Sequence, residues 1–116
     1  MSATVELLAL YQEWLRWTGT ESRAIATGAW EQVGRAQATK ALLQPVIRRA
    51  SHALREQGVD VPEEISQLLV ELIDCERANQ EKVSTQLAAA RAERSALGES
   101  TSRLRDIRRA YVLNAR

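Results

Sequence analysis

The hydrophobic pattern of the chain follows the helical period almost everywhere. In the first thirty residues, two adjacent stripes recur at steps of three and four. One contains Leu8, Tyr11, Leu15, Thr18, Ser22 and Ile25, and the other contains Leu7, Leu10, Trp14 and Trp17. Because two neighbouring stripes make a broad apolar face, the pattern predicts a first helix over about 4–27 that packs against two partners.

A second helix is predicted over about 29–57. Thr27 and Gly28 separate it from the first helix, and either residue can serve as its N-cap. Pro45 lies inside it, so we expect a kink near Gln44 and Pro45, with a full break as the alternative. Gly58 is expected to end this helix as a C-cap residue.

A third helix is predicted over about 61–112, after a short linker at 58–62. Asp60 and Glu63 have the spacing of a capping box, and Pro62 is tolerated in a first helical turn. The three-four alternation then continues over 69–111 without a slip, as in a coiled coil. Its positions are Leu69, Leu72, Glu76, Asn79, Val83, Gln86, Ala90, Glu93, Leu97, Ser100, Leu104, Ile107 and Tyr111.

The three predicted helices differ greatly in length. At 1.5 Å per residue they would span about 36, 43 and 78 Å. Since two short antiparallel helices cannot cover such a long partner, residues from about 90 onward are expected to overhang, fold back or pair with another chain. The expected place for a bend is Gly98, which hydroxyl residues follow, and the bend would lead into a short C-terminal helix over 103–114. The predicted fold is an all-α antiparallel three-helix bundle, or coiled-coil hairpin, forming a single domain over 1–116.

Composition supports the helical fold and excludes several classes of function. The 116 residues include 4% aromatic residues and no Phe, which is untypical of a sheet. One Cys and one His exclude a disulfide framework and an ordinary zinc site. No apolar run reaches the roughly 18 residues of a membrane span, and the N-terminal segment lacks the basic start of a secretory signal. With a single thiol, Cys75, these features predict a soluble cytoplasmic protein that does not insert into membranes.

Charge does not favour a nucleic-acid partner. The formal net charge of the whole chain is +1. The segment 97–116 carries five arginines against two acidic residues, and such a basic helix can touch phosphates. No binding motif or interleaved aromatic residues accompany it, so a solvated cluster at the end of a helix is the simpler interpretation.

No residue pattern predicts catalysis, a cofactor or a metal ion. His52 lies on the second helix in no catalytic motif, and Cys75 is flanked by Asp74 and Glu76, which disfavour a thiolate. The carboxylates of the third helix lack the Glu-x-x-His spacing of a di-iron bundle. No glycine-rich phosphate loop is present. The sequence therefore predicts a protein that is not an enzyme.

Two apolar surfaces are candidates for binding a protein partner. The first is a C-terminal stripe on the third helix, formed by Leu97, Leu104, Ile107, Tyr111 and Val112. The alternatives for this stripe are that it folds back onto the bundle or mediates dimerisation. The second surface contains Trp14 and Trp17, for which core packing is the alternative to a partner-binding groove.

Several short segments follow one another along the predicted helices. They are Gly28-Ala29-Trp30-Glu31 at the start of the second helix, Lys40-Ala41-Leu42-Leu43 within it, Glu76, Asn79 and Leu87 on the long helix, and Leu104-Arg105-Asp106-Ile107-Arg108-Arg109-Ala110-Tyr111 at its end. In these segments and in the order of its helices, nearly the whole chain resembles the small flagellar type III export chaperones of the FlgN and FliT type.

The resemblance implies a cytoplasmic chaperone without enzymatic activity. Such proteins hold the C-terminal segments of hook-associated or filament-cap subunits before export and deliver them to the export gate. A flagellar export client or an export-gate component would then be the protein partner. The competing hypothesis is a structural coiled-coil or adaptor protein that self-associates, as a homodimer, through its third helix.

Overall fold

The computed structural model describes residues 2–114, with side chains for 2–113, and confirms the all-α fold class. Its helices are α1 (Ala3–Thr27), α2 (Trp30–Glu56) and α3 (Glu63–Asn114). The chain divides into two compact units, Met1–Lys82 and Val83–Arg116. In the first unit, α1, α2 and the first part of α3 pack as a three-helix bundle.

Buried contacts give the direction of each helix in this bundle. Leu7, Leu54 and Ile65 form one apolar cluster, which joins the beginning of α1, the end of α2 and the beginning of α3. Further along α3, Glu76 contacts Trp14 of α1 and Lys40 of α2. Therefore α2 runs antiparallel to α1, and α3 of the first unit runs parallel to α1.

The junction between α1 and α2 differs from the prediction. Neither Thr27 nor Gly28 caps α2. Gly28 instead closes α1 in the left-handed conformation, with φ 71°, where glycine lacks the steric penalty of other residues. The Thr27 hydroxyl bonds back to the carbonyl of Arg23, and Ala29 precedes α2 without a side-chain cap.

The junction between α2 and α3 is partly as expected. Gly58 has φ 67° and follows the end of α2. However, α3 begins at Glu63, two residues later than predicted. The carbonyl of Pro62 accepts the N–H groups three and four residues further on. Among the described residues no hydrogen bond joins Asp60 to Glu63, so the expected capping box does not form.

Both expected irregularities lie inside continuous helices. The full break considered at Pro45 does not occur. Pro45 and Ala41 are exposed, and Pro45 has no N–H group to donate to the Ala41 carbonyl. Likewise, α3 continues through Gly98. Beyond it, Thr101 Oγ1 donates to the Leu97 carbonyl at 2.9 Å, a bond that is compatible with the helix.

Burial along α3 changes with position. In the first unit, the repeating positions Ile65, Leu72 and Asn79 are buried. In the second unit, every side chain from residue 87 to 113 is exposed. The positions of the predicted three-four alternation are therefore buried or half-buried in the first part of α3 and exposed in the last part.

Candidate functional site

A groove of about 440 Å³ lies on the bundle of the first unit and is lined by all three helices. The residues of α3 that line it recur at helical spacing, so they form one wall on one face of that helix. The lining consists of Tyr11, Trp14, Gln44, Ile47, Leu69, Leu72, Ile73, Glu76, Arg77 and Gln80.

Most of the groove surface is apolar. The earlier turns of α3 contribute Leu69, Leu72 and Ile73, and the other two helices contribute Tyr11 and Ile47. Ile73 is 55% exposed even though it is a large aliphatic side chain. A concave apolar surface that remains open to water is typical of a site that binds a ligand or a partner.

Below the groove is a polar cluster, formed by Thr18, Glu21, Lys40, Glu76 and Asn79. Lys40, Glu21 and Asn79 are only 5%, 3% and 3% exposed. The Lys40 ammonium lies 2.6 Å from Glu76 Oε1 and 3.3 Å from Glu21 Oε1. Asn79 Nδ2 donates to Glu21 Oε1 at 2.9 Å and to the Thr18 carbonyl at 3.1 Å. Among the described residues no buried side-chain nitrogen or oxygen lacks a partner.

Glu76 belongs to both the polar cluster and the groove. Its Oε1 accepts hydrogen bonds from Lys40 Nζ, Thr18 Oγ1 and Trp14 Nε1. Burial alone would raise the pKa of the Glu76 carboxyl, but the hydrogen bond and charge of Lys40 and the bonds from Thr18 and Trp14 bring the pKa below its ordinary value. Glu76 is therefore a carboxylate at neutral pH, held in one position at the groove.

The two candidate tryptophans of α1 have different environments. Trp14 lines the groove, and the Lys40 ammonium lies 5.6 Å from the centre of its ring. Trp17 is half-buried but does not line the groove. Its Nε1 donates to Glu13, while the Arg16 guanidinium lies over its ring at 5.4 Å. Hydrogen bonds from Arg16 and then Trp17 lower the pKa of Glu13.

The C-terminal stripe lies in the second unit. All five of its residues are exposed, and none of them lines the groove. They are Leu97, Leu104, Ile107, Tyr111 and Val112. The groove is lined by residues of all three helices, whereas the stripe lies on α3 alone.

The residues considered for catalysis are not brought together. His52 is exposed, with Nε2 3.6 Å from a carboxylate oxygen of Glu56, and the partly buried Cys75 is a free thiol. Neither residue lines the groove. Over residues 2–113, no three side chains of the metal-binding types group as a metal site. In the same part of the chain, no helix combines the length and apolar character that spanning a membrane requires.

The polar cluster was not predicted, although the sequence contains a signal for it. Val33, Ala36, Lys40, Leu43 and Ile47 follow the three-four alternation on α2. Lys40 thus occupies a core position between apolar residues, and Glu76 occupies a comparable position on α3. A charged residue at a core position of one helix indicates an opposite charge at the core position of a neighbour.

Comparison with other proteins adds no assignment of residues or function. No model of a protein family, no curated protein and no solved structure matches the chain.

Proposed function

We propose that the protein is an export chaperone without enzymatic activity. In this proposal it holds a C-terminal helical segment of a flagellar hook-associated or filament-cap subunit in the cytoplasm. The observation that carries the proposal is the open apolar groove on the three-helix bundle. The flagellar assignment itself is supported by the resemblance in sequence to the FlgN and FliT type of chaperone.

The dimensions and chemistry of the groove suit an amphipathic helix. Its α3 wall extends from Leu69 to Gln80, about 16 Å, which corresponds to three helical turns. An amphipathic partner helix presents apolar side chains at steps of three and four over such a length. Trp14 adds an aromatic wall of the kind that is enriched at the energetic centres of protein interfaces.

In the same proposal, the C-terminal stripe is a second surface for binding a protein. Its five apolar residues are exposed on α3 of the second unit. An exposed apolar stripe of five residues can bind another segment of the client or a component of the export gate. In this proposal the groove is the primary client site, and the stripe is a site for a further protein contact.

The proposal is tested by calorimetric titration with C-terminal peptides of hook-associated and filament-cap subunits from the same genome. We expect one class of peptide to bind with a Kd of about 1 μM or below. Ile73→Asp places a charge in the groove and should weaken this binding at least about tenfold. Val70→Asp is the matched control, because Val70 is 60% exposed on the same helix and does not line the groove. Absence of binding by every peptide, or equal effects of the two substitutions, would refute the proposal.

One observation favours a second candidate, a structural coiled-coil or adaptor protein that self-associates through α3. Leu97, Leu104 and Tyr111 are exposed and recur every seven residues, which is the spacing of a coiled-coil interface. This candidate predicts a concentration-dependent dimer in analytical ultracentrifugation, which Leu104→Asp converts to monomer. It also predicts no affinity for the subunit peptides, so the same calorimetric titration separates the two candidates.

A further inference from the structure

The two carboxylate oxygens of Glu76 have different surroundings. Oε1 accepts all three hydrogen bonds that hold the side chain, from Trp14, Thr18 and Lys40. Oε2 accepts none of the hydrogen bonds found among the described residues, although a carboxylate oxygen has two lone pairs. The side chain is 29% exposed and lines the groove. One oxygen thus holds the residue in place, and the other is left for a group in the groove.

The charges of the five side chains in the polar cluster do not balance one another. The carboxylates of Glu21 and Glu76 share the single ammonium of Lys40. The other donors, from Thr18, Asn79 and Trp14, are neutral groups. Within residues 2–113 no ion pair joins Glu76 to Arg77, the other charged residue that lines the groove. The cluster therefore retains one formal negative charge beside an apolar surface.

We propose that Glu76 selects the partner helix by binding a lysine or arginine side chain on its docked face. The inference rests on the proposed function, because it assumes that a helix occupies the groove, and it adds a charge requirement to that helix. A cation at this position completes the charge balance of the cluster and forms a charge-assisted hydrogen bond to Oε2. An acidic side chain at the same position would face a carboxylate and is rejected.

The test uses host peptides of 18 residues, built from Ala and Leu with one apolar stripe, and needs no knowledge of the client. A single Lys is moved through the positions that flank the stripe, and matched peptides carry Gln or Glu instead. Affinity is measured by calorimetry with the full chain. At one position we expect Lys to bind about tenfold more tightly than Gln, and Glu to bind more weakly than Gln.

Two protein variants assign this preference to Glu76. In Glu76→Gln the amide oxygen can still accept the three hydrogen bonds, so we expect the bundle to fold and the advantage of Lys over Gln to disappear. Glu71→Gln is the control, because Glu71 is exposed on the same helix and does not line the groove. It should retain the full advantage of Lys. Circular dichroism establishes whether each variant is folded.

Each outcome decides the inference. Tight binding of the Lys peptide that depends on Glu76 supports it. If Lys, Gln and Glu peptides bind the unchanged protein equally, the charge selection is wrong while the groove remains a helix-binding site. If Glu76→Gln retains the preference for Lys, another residue makes the selection and the inference fails. If neither host nor subunit peptides bind, the proposed function and the inference fail together. Even if Glu76→Gln does not fold, equal binding of the three peptides by the unchanged protein would refute the inference.

Discussion

Replacing Lys40 with Met tests whether the polar cluster stabilises the bundle. Methionine keeps an unbranched side chain of similar shape, has sulfur in place of the Cδ methylene and lacks the ammonium group. Glu21 and Glu76 would then face each other without the cation that they share. Glu21 would retain its bond from Asn79, and Glu76 would retain its bonds from Trp14 and Thr18.

The size of the effect follows from the burial of each ion pair. Removing one partner of a fully buried pair costs about 3–5 kcal/mol, whereas an exposed pair contributes about 1 kcal/mol or less. In the Lys40–Glu21 pair both side chains are nearly inaccessible, at 7% and 4% exposure. Glu76 is 29% exposed and can be partly rehydrated. We therefore expect Lys40→Met to lower the free energy of unfolding by about 4 kcal/mol.

The assay is urea unfolding at neutral pH, followed by far-ultraviolet circular dichroism. Lys82→Met is the control, because Lys82 is exposed and makes one hydrogen bond, to Ser22 at 3.2 Å. Lys82→Met should lower the free energy of unfolding by less than about 0.5 kcal/mol. Adding Glu21→Gln to Lys40→Met removes one of the two buried carboxylates that have lost their cation. The double variant should have a free energy of unfolding at least about 1 kcal/mol higher than that of Lys40→Met alone. If Lys40→Met costs no more than Lys82→Met, the reasoning about the buried ion pairs is wrong.

Three further predictions concern pH, the turn between α1 and α2, and the end of the chain. The pKa of Glu76 is lower than its ordinary value of 4.5. The Glu76 carboxylate therefore stabilises the fold fully at a pH above 4.5, and this stabilisation is lost as the pH falls through the lowered pKa. Urea unfolding at a series of acidic pH values should show a smaller loss of stability in Glu76→Gln. Gly28→Ala should destabilise the protein by about 1 kcal/mol, because the φ angle of Gly28 is positive. Gly34→Ala should stabilise it by about 0.5–1 kcal/mol, because Gly34 lies inside α2 with open space around it. If the two substitutions shift the thermal unfolding midpoint in the same direction, this prediction is wrong. A chain ending at Ala96 should keep the unfolding midpoint of the first unit, because residues 97–113 are exposed, and a lower midpoint would contradict this.

The all-α fold was predictable because hydrophobic periodicity is a local property that survives in the structure. The end of α1 coincides with the predicted residue 27, where the periodic pattern meets Gly28. The capping roles at this turn were not predictable, since a glycine without a side chain is compatible with the end of one helix and the beginning of the next. Backbone conformation decides between these roles, and the positive φ assigns Gly28 to α1.

The polar cluster shows what a local pattern cannot determine. The periodicity of α1 and α2 places Glu21 and Lys40 at core positions, but a charge there is stable only with a partner. Those partners lie on other helices, so their contacts depend on how the three helices are aligned. The groove is harder still to predict, because it depends on the spacing between helices. Of the two tryptophans suggested by the sequence, only Trp14 lines it.

Of the two lysines of the chain, Lys82 is exposed and Lys40 is buried, so chemical labelling of the two can report on opening of the bundle. An amine-acylating reagent reaches Lys82 in the folded protein, whereas Lys40 is protected by the three helices that surround its ammonium group. Acylation of Lys40 therefore requires an opening that separates these helices, and fraying of a helix end is not sufficient. Mass spectrometry of the digested protein would follow both sites in one sample. The ratio of the two labelling rates would then measure how often the bundle opens under native conditions.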